Sequence, residues 1–540
     1  MEKRALLAVV LSILILILYQ EWVARRYPTP PSAPKEKASE KAATPVPQPA
    51  PKIAEQVKRL TPAEQPTAHE IRVETERYVA VFTNQGARLK SFALKNYRTV
   101  VGDRSPPFEM ISSAPGVPYP LGIQLPGPKP FNDEGLNYSV QGGDLKLTGD
   151  ARGSLVFQGQ TSTGTVLTKK ITFTGSAYPI ELEIAVASQD ARLSPALLLT
   201  SAGDTQGSSE DAKFEGLLAL VGNKIRREDT DEFKKGIELS GPISWAGFGY
   251  TYFLFALLPE GEAEQMIAAR QAGPGLVIEV KSQAGGQAAG KARYTLFIGP
   301  KELELLKSLG RGLERSIDFG YFAFVAIPLL YVMHFSHRFT GSYGIDIILL
   351  TVIIKLLLAP LTHKSFVSMK QMQKLQPQME RLKERFKDDK EKLNKEIMEL
   401  YRRNKVNPLG GCLPMALQFP VFIGLYNALL TPIELRHAPF LWIKDLSRPD
   451  WESLPFTLAG WPSFLPSGIP VLTILMGASM FLQQWMTPSA GDPNQRRMML
   501  MMPVIFTVMF VSFPAGLTIY WLVNNILTIA QQYLINRMNR

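Results

Sequence analysis

The sequence predicts a polytopic α-helical membrane protein that carries a large water-soluble β domain. Three observations lead there. Apolar residues concentrate in one N-terminal run and in six runs after about residue 318. The stretch between them has ordinary globular composition and strand-like patterning. The lysines and arginines sit largely beside the apolar runs, as membrane topology requires. With 540 residues, a net charge of +11 and 46% hydrophobic residues, the chain is too long for one core and needs several units. The basic excess therefore reads as topology and not as specific nucleic-acid binding. The single cysteine, Cys412, rules out an intramolecular disulfide or a thiolate cluster within one chain.

Residues 1–27 form an N-terminal transmembrane anchor. Lys3 and Arg4 precede an apolar run from Ala5 to Tyr19, no small-x-small cleavage site follows, and Gln20, Glu21, Trp22 and Arg25/Arg26 suit an interfacial border. Residues 28–66 hold ten prolines among alanines, lysines and glutamates, a composition that cannot bury a core and makes a semi-rigid tether. Residues 67–310 read as a β-sandwich-like domain from runs such as "RYVAVFTNQGARLKSFAL" and "TVLTKKITFTG", punctuated by Gly, Asn and Asp. No catalytic triad, metal spacing or phosphate loop is visible there. The chain accordingly reads as a protein without cofactor or metal, and not as an enzyme.

The later apolar runs are 319–335, 344–362, 411–431, 469–486, 499–513 and 515–535. All of them plus the anchor would give seven crossings, but charge decides otherwise. Residues 363–405 carry 13 Lys/Arg against 7 Asp/Glu, which keeps them cytoplasmic. With the N-terminus inside and the β domain outside, only one crossing fits between residues 310 and 363. The run at 319–335 contains Pro328 and is bordered by His334, Ser336, His337 and Arg338, so residues 311–340 are assigned to a helix at the outer interface. The run at 344–362 then spans, followed by 411–431, 469–486, 499–513 and 515–535. Six crossings result, with both termini inside. The outer loop 432–468 carries Trp442, Trp451 and Trp461, suited to a headgroup belt.

The inner segment 363–408 shows Met369, Met372, Met379, Leu382 and Phe386 at helical spacing. Asp388/Asp389 mark a turn, and Leu393, Ile397 and Leu400 continue a second amphipathic helix that stops at Asn407-Pro408. The spacing predicts an antiparallel hairpin. Eight of the 18 methionines fall between 476 and 509, including "MMLMM" at 498–502, either as lipid-facing filler or as a pliable wall for varied helices.

Lys355 is the one charge deep within the run 349–360. A lysine at that depth costs about 2.5–3.5 kcal/mol on insertion scales, so such residues face a cavity or a partner. It lies roughly 10 Å from the inner end at helical rise, farther than its stem can snorkel. The four later apolar runs contain no Asp or Glu, and Asp346 is nine residues away, too far to pair. Lys355 is therefore expected to line a hydrated indentation open to the cytoplasm. The same lack of carboxylates argues against a proton relay.

The segments "VNPLGGCLPMALQFPVFIGLYNAL" (406–429), "ELRHAPFLWIKDLS" (434–447), "MPVIFTVMFVSFPAGLTIYWLVNN" (502–525) and the "APLT" after Lys355 resemble the YidC/Oxa1/Alb3 family of membrane protein insertases, in its bacterial YidC form. The resemblance is dense over 340–540, and the anchor, tether and β domain match the diderm form. It implies an inner-membrane insertase and chaperone whose five core helices (341–540) enclose a hydrophilic groove, closed to the periplasm and open to the cytoplasm and lipid. It places residues 28–340 in the periplasm. It implies nascent membrane proteins as substrates, with the Sec translocon (SecYEG, SecDF) and the translating ribosome, through the cytoplasmic hairpin, as partners.

On this resemblance Lys355 takes the place of the groove cation, Thr351 that of a polar groove position one turn earlier, and Phe419, Phe422, Tyr520 and Trp521 that of the substrate-contact region. The family cation is usually arginine, so the planar bidentate fork is absent here. Ala359 replaces a contact aromatic. Two other classes stay open on the residues alone. A small-solute transporter fits the polytopic core but lacks buried carboxylates and an evident inverted repeat. A membrane-anchored periplasmic receptor would need neither Lys355 nor the basic hairpin.

Overall fold

The computed structural model describes residues 69–538 apart from 103, 112–113, 127–129, 189–194, 204–212, 262–263, 283–289, 388, 405, 407–412, 456–466 and 487–492. The anchor 1–27, the tether 28–66, Cys412 and Trp461 lie outside the described residues.

Among the described residues, strands run from Glu70 to Pro300 and pair into three sheets. In the largest, nine strands follow the order Lys224–Glu228, Phe214–Val221, Ile243–Tyr250, Phe253–Pro259, Lys291–Pro300, Ile180–Ala187, Val166–Thr174, Arg152–Gln160 and Ser139–Gln141. Strand Tyr78–Thr83 turns Tyr78, Ala80 and Phe82 inward and leaves alternate residues half-buried, the period expected of a strand with one covered face. Phe253–Pro259 is buried at every position, which marks a strand covered on both faces. A simple sandwich would have two facing sheets. The third was not legible in the sequence, because the period-2 pattern fixes which face is buried and not which strands pair.

Inside this region lies a fully buried ionic cluster. Lys169 Nζ sits 2.7 Å from Asp133 Oδ2, and Arg88 Nη2 sits 3.2 Å from Asp133 Oδ1, with both pairs out of solvent. The Tyr138 hydroxyl and the Ile123 N–H donate to the same carboxylate at 2.9 Å. Lys169 also donates to the carbonyls of Gly86 (2.6 Å) and Leu121 (2.8 Å). Two cations thus share one anion, and hydrogen bonds from Tyr138 and Ile123 complete the coordination of that carboxylate.

The helices are α1 (Thr230–Lys235), α2 (Leu303–Leu309), α3 (Ala323–Thr340), α4 (Tyr343–Arg385), α5 (Lys390–Arg403), α6 (Leu413–Leu430), α7 (Val471–Met486), α8 (Pro493–Phe510) and α9 (Ala515–Met538). α4 is unbroken over 43 residues, about 65 Å at helical rise, and carries Pro360 and Pro377 inside it. The expected boundary between a span 344–362 and a hairpin starting at 363 is therefore a change of composition and not of backbone. The first strongly basic residues continue the same helix, and nothing after Pro360 stops it. α8 likewise starts at Pro493, ahead of the expected 499. Among the described residues, α4 alone is both long and apolar enough to cross a membrane by length and composition.

α5 opens on Asp389, whose side chain accepts from Lys392 N–H at 3.0 Å. It folds back on α4, where Tyr401 Oη meets Met379 Sδ at 3.2 Å. At the other end of α4, Gly341 adopts a left-handed φ of 63° and ends α3. The buried Asp346 carboxylate accepts from Ser336 Oγ (2.6 Å) and Thr340 Oγ1 (2.7 Å) and meets His337 Nδ1 at 2.7 Å, fastening α3 to α4. α3 buries Ala326, Leu330 and Met333 and exposes Phe324, Tyr331, Phe335 and Phe339.

The β region meets the helices through Arg436, which is almost fully buried. Its Nη2 donates to the carbonyls of Arg98 (2.8 Å) and Thr99 (3.3 Å), and its guanidinium lies over Phe108 and Phe253. A cavity of about 270 Å³ opens beside this contact, lined by Tyr97, Glu302, Glu434 and His437 among others.

Close approach between α7 and α8 depends on Gly477, where an added Cβ would overlap Thr507 Oγ1. Gly477→Ala is expected to cost about 1–3 kcal/mol through overpacking. A drop in the thermal midpoint of the purified chain checks it, and an unchanged midpoint contradicts this packing.

Candidate functional site

α4 and α9 meet along a polar seam inside otherwise apolar helices. Lys355, Ala359 and Thr362 recur at i, i+4 and i+7 on α4, and Asn524, Thr528 and Gln531 recur at the same spacing on α9. That spacing puts each set on one helix face. The half-buried Lys355 ammonium donates to Thr528 Oγ1 at 2.6 Å and lies 3.5 Å from Asn524 Oδ1. Further along, Gln531 Nε2 donates to Thr362 Oγ1 at 2.9 Å and reaches the Ala359 carbonyl at 3.4 Å. Both oxygens at the ammonium are neutral, so hydrogen bonding satisfies the cation without cancelling its charge.

A face of α9 about a quarter-turn away makes a second seam. Asn525 Nδ2 donates to Ser479 Oγ at 3.0 Å, and Gln532 Nε2 donates to the Met486 carbonyl at 2.8 Å, both on α7. In each seam the residue number rises on both helices together, so α4, α7 and α9 run parallel.

One turn before Asn524, Trp521 anchors an aromatic cluster. Phe422 on α6 meets it edge-on at 5.0 Å between ring centroids, and Phe510 and Phe506 on α8 lie at 5.0 and 6.3 Å. Phe419, one turn from Phe422, is exposed, whereas Tyr520 is buried. Thr351 is buried, and its hydroxyl donates to the Ile347 carbonyl of its own helix at 2.6 Å.

The residues singled out in the sequence thus fall into distinct places. Lys355 sits on the α4–α9 seam, Phe422 and Trp521 form the neighbouring aromatic wall, and Phe419 is turned outward. Tyr520 and Thr351 are packed inside. Sequence reasoning missed Thr528, Gln531 and Thr362, because the partner sought for Lys355 was a carboxylate. The helical spacing of Asn524, Thr528 and Gln531 was the available signal.

A protein of Syntrophus aciditrophicus named membrane protein insertase YidC is 41% identical over 99% of this chain and 100% of its own length. This chain belongs to the YidC family. The YidC of Geobacter sulfurreducens is 39% identical, covering 99% of this chain and 98% of that one. A family model described as YidC periplasmic domain matches residues 70–332, and one described as 60Kd inner membrane protein matches residues 335–540. The strands thus lie within the YidC periplasmic-domain match, and α4 to α9, with Lys355 and both seams, lie within the second. A crystal structure of an active YidC insertase with its first transmembrane domain resolved aligns at 18% identity and a TM-score of 0.37, covering 88% of this chain and 93% of that one.

Proposed function

We propose that this YidC-family chain carries out its family's activity, membrane protein insertion, at the α4–α9 seam, with Lys355 as the receptor for incoming chain. The observation that carries the reading is a cation in an apolar helix whose partners among the described residues are two neutral oxygens. A buried charge costs energy unless it is paired. One that is hydrogen-bonded but not neutralised is an attractive point for acidic or polar segments. The aromatic wall of Phe422, Trp521, Phe506 and Phe510 stands one turn away, where the apolar part of a substrate helix would pack.

In this reading the chain sits in the inner membrane with residues 28–340 in the periplasm and both termini in the cytoplasm. The anchor, α4, α6, α7, α8 and α9 make six crossings. The parallel run of α4, α7 and α9 supports this topology, because all three would cross from outside to inside. The exposed aromatic stripe of α3 suits a helix lying at the outer interface. The α4–α5 hairpin would meet the ribosome, and the Sec translocon would hand over larger substrates. No chemical step is required of any side chain. Burial of the substrate helix and, for negative residues moving outward, about 2.3 kcal/mol per charge per 100 mV would drive the process.

Reconstitution of the full chain alone into liposomes tests this. A small single-span substrate is expected to become protease-protected in proportion to the chain supplied. Flux of a small solute without any protected substrate would replace the insertase reading with that of a transporter.

A further inference from the structure

Thr528 is placed so that only one arrangement of its hydroxyl works. Its Oγ1 lies 2.6 Å from the Asn524 carbonyl, which can only accept, so the hydroxyl proton is committed there. The lone pairs of the same oxygen are left facing the Lys355 ammonium at 2.6 Å. The threonine is thereby locked as an acceptor toward the lysine. Asn524 contributes a second oxygen, at 3.5 Å, from one turn earlier on the same face.

An ammonium on four rotatable bonds would otherwise swing away from the helix interface, since a lysine stem explores many rotamers. A guanidinium at this position could hold itself by several N–H groups at once. A lysine has three, and two of them are directed at Thr528 and Asn524. Among the described residues one N–H remains for an incoming group, which suits single-point capture of a carboxylate.

We propose that Thr528, assisted by Asn524, is the positioning residue that fixes the Lys355 ammonium on the α4–α9 seam, and so sets the preference for substrates with acidic translocated tails. This deepens the insertase reading and rests on it. Thr528 touches the lysine and not the substrate. Its effect therefore appears as a change in charge preference and not as a uniform loss.

The test uses the full chain in liposomes and two single-span substrates identical except for an acidic or a neutral translocated tail. The quantity read is the ratio of acidic-tail to neutral-tail insertion. Thr528→Val, of equal volume but without an acceptor, is expected to lower that ratio about fivefold or more, toward the value for Lys355→Ala. Thr528→Ser keeps the acceptor and is expected to hold the wild-type ratio. Asn524→Ala, at the longer distance, gives a smaller decline. If Lys355→Ala lowers the ratio and Thr528→Val does not, the positioning role is overturned and the groove-cation reading stands. Equal loss of both substrates in Thr528→Val makes the residue merely structural and also overturns it. A wild-type ratio in Lys355→Ala removes the cation's role and the inference with it.

Discussion

Lys355→Ala is expected to reduce insertion of acidic-tailed substrates about tenfold or more, Lys355→Glu to reduce it further, and Lys355→Arg to leave it near wild type. The estimate follows from Coulomb's law. A carboxylate 4 Å from the ammonium gains about 1 kcal/mol in a water-like medium and about 4 kcal/mol at a protein-like effective dielectric, and a recess between helices falls within that range. About 1.4 kcal/mol corresponds to tenfold in occupancy. The alanine removes the attraction, and the glutamate replaces it with repulsion of similar size. Neutral-tailed substrates lack the interacting charge and should distinguish the variants much less. The readout is protease-protected substrate at matched amounts of inserted chain. Equal insertion of acidic-tailed substrate by all four proteins would remove the receptor role and leave the seam as packing alone.

The same site shows how far the sequence reaches. A lysine inside an apolar run can be seen without a structure, because its cost is large and local. Its partners could not be named so easily. The search for a carboxylate failed because Thr528 and Asn524, 173 and 169 residues away, are neutral and by themselves ordinary. Only the matched i, i+4, i+7 spacing on two helices hints that these faces meet. Trp521 and Phe422 could be placed near the site by family resemblance. That Tyr520, next to Trp521, points into the packed interior is a matter of helix rotation, which one residue decides.

Helix extents show a similar division. Apolar runs located α6, α7 and α9 to within a few residues, because desolvation acts on composition directly. The continuity of α4 past residue 363 was hidden by the change from apolar to basic sequence. Helical hydrogen bonding does not depend on that change. In the β region, alternation marked buried faces, but pairing depended on partners far along the chain. Arg88, Asp133 and Lys169 are such a case, since nothing local distinguishes them from surface charges.

That cluster gives the other large expected effect. Asp133→Ala leaves Arg88 and Lys169 in the interior with no counter-charge, and also strips an acceptor from Tyr138 and Ile123. Removing one member of a buried ionic group costs about 3–5 kcal/mol, because the remaining charge keeps its desolvation penalty. For a domain of this size the midpoint should fall by roughly 10 °C, followed by temperature-dependent proteolysis of the strand region in the full chain. Asp133→Ala with Lys169→Met should recover part of the loss, since one orphaned charge goes.

The pH dependence of the native cluster follows from Lys169. Burial pushes its ammonium down to about 8 from 10.5, against the pull of Asp133 in the other direction. Between those values the unfolded chain binds more protons than the folded one, so this group's contribution to stability rises with pH, and below about 8 the penalty for its charge is present in full. The wild type should therefore gain on Lys169→Met between pH 7.5 and pH 9.5, and a constant difference would mean that the lysine stays charged throughout. Insertion separates the two sites. If the seam on α4 and α9 carries the activity, Asp133→Ala should lose strand-region stability while reconstituted insertion persists at temperatures below its lowered midpoint. Lys355→Ala should do the reverse. Loss of insertion by Asp133→Ala well below that midpoint would instead make the periplasmic domain part of the insertion machinery.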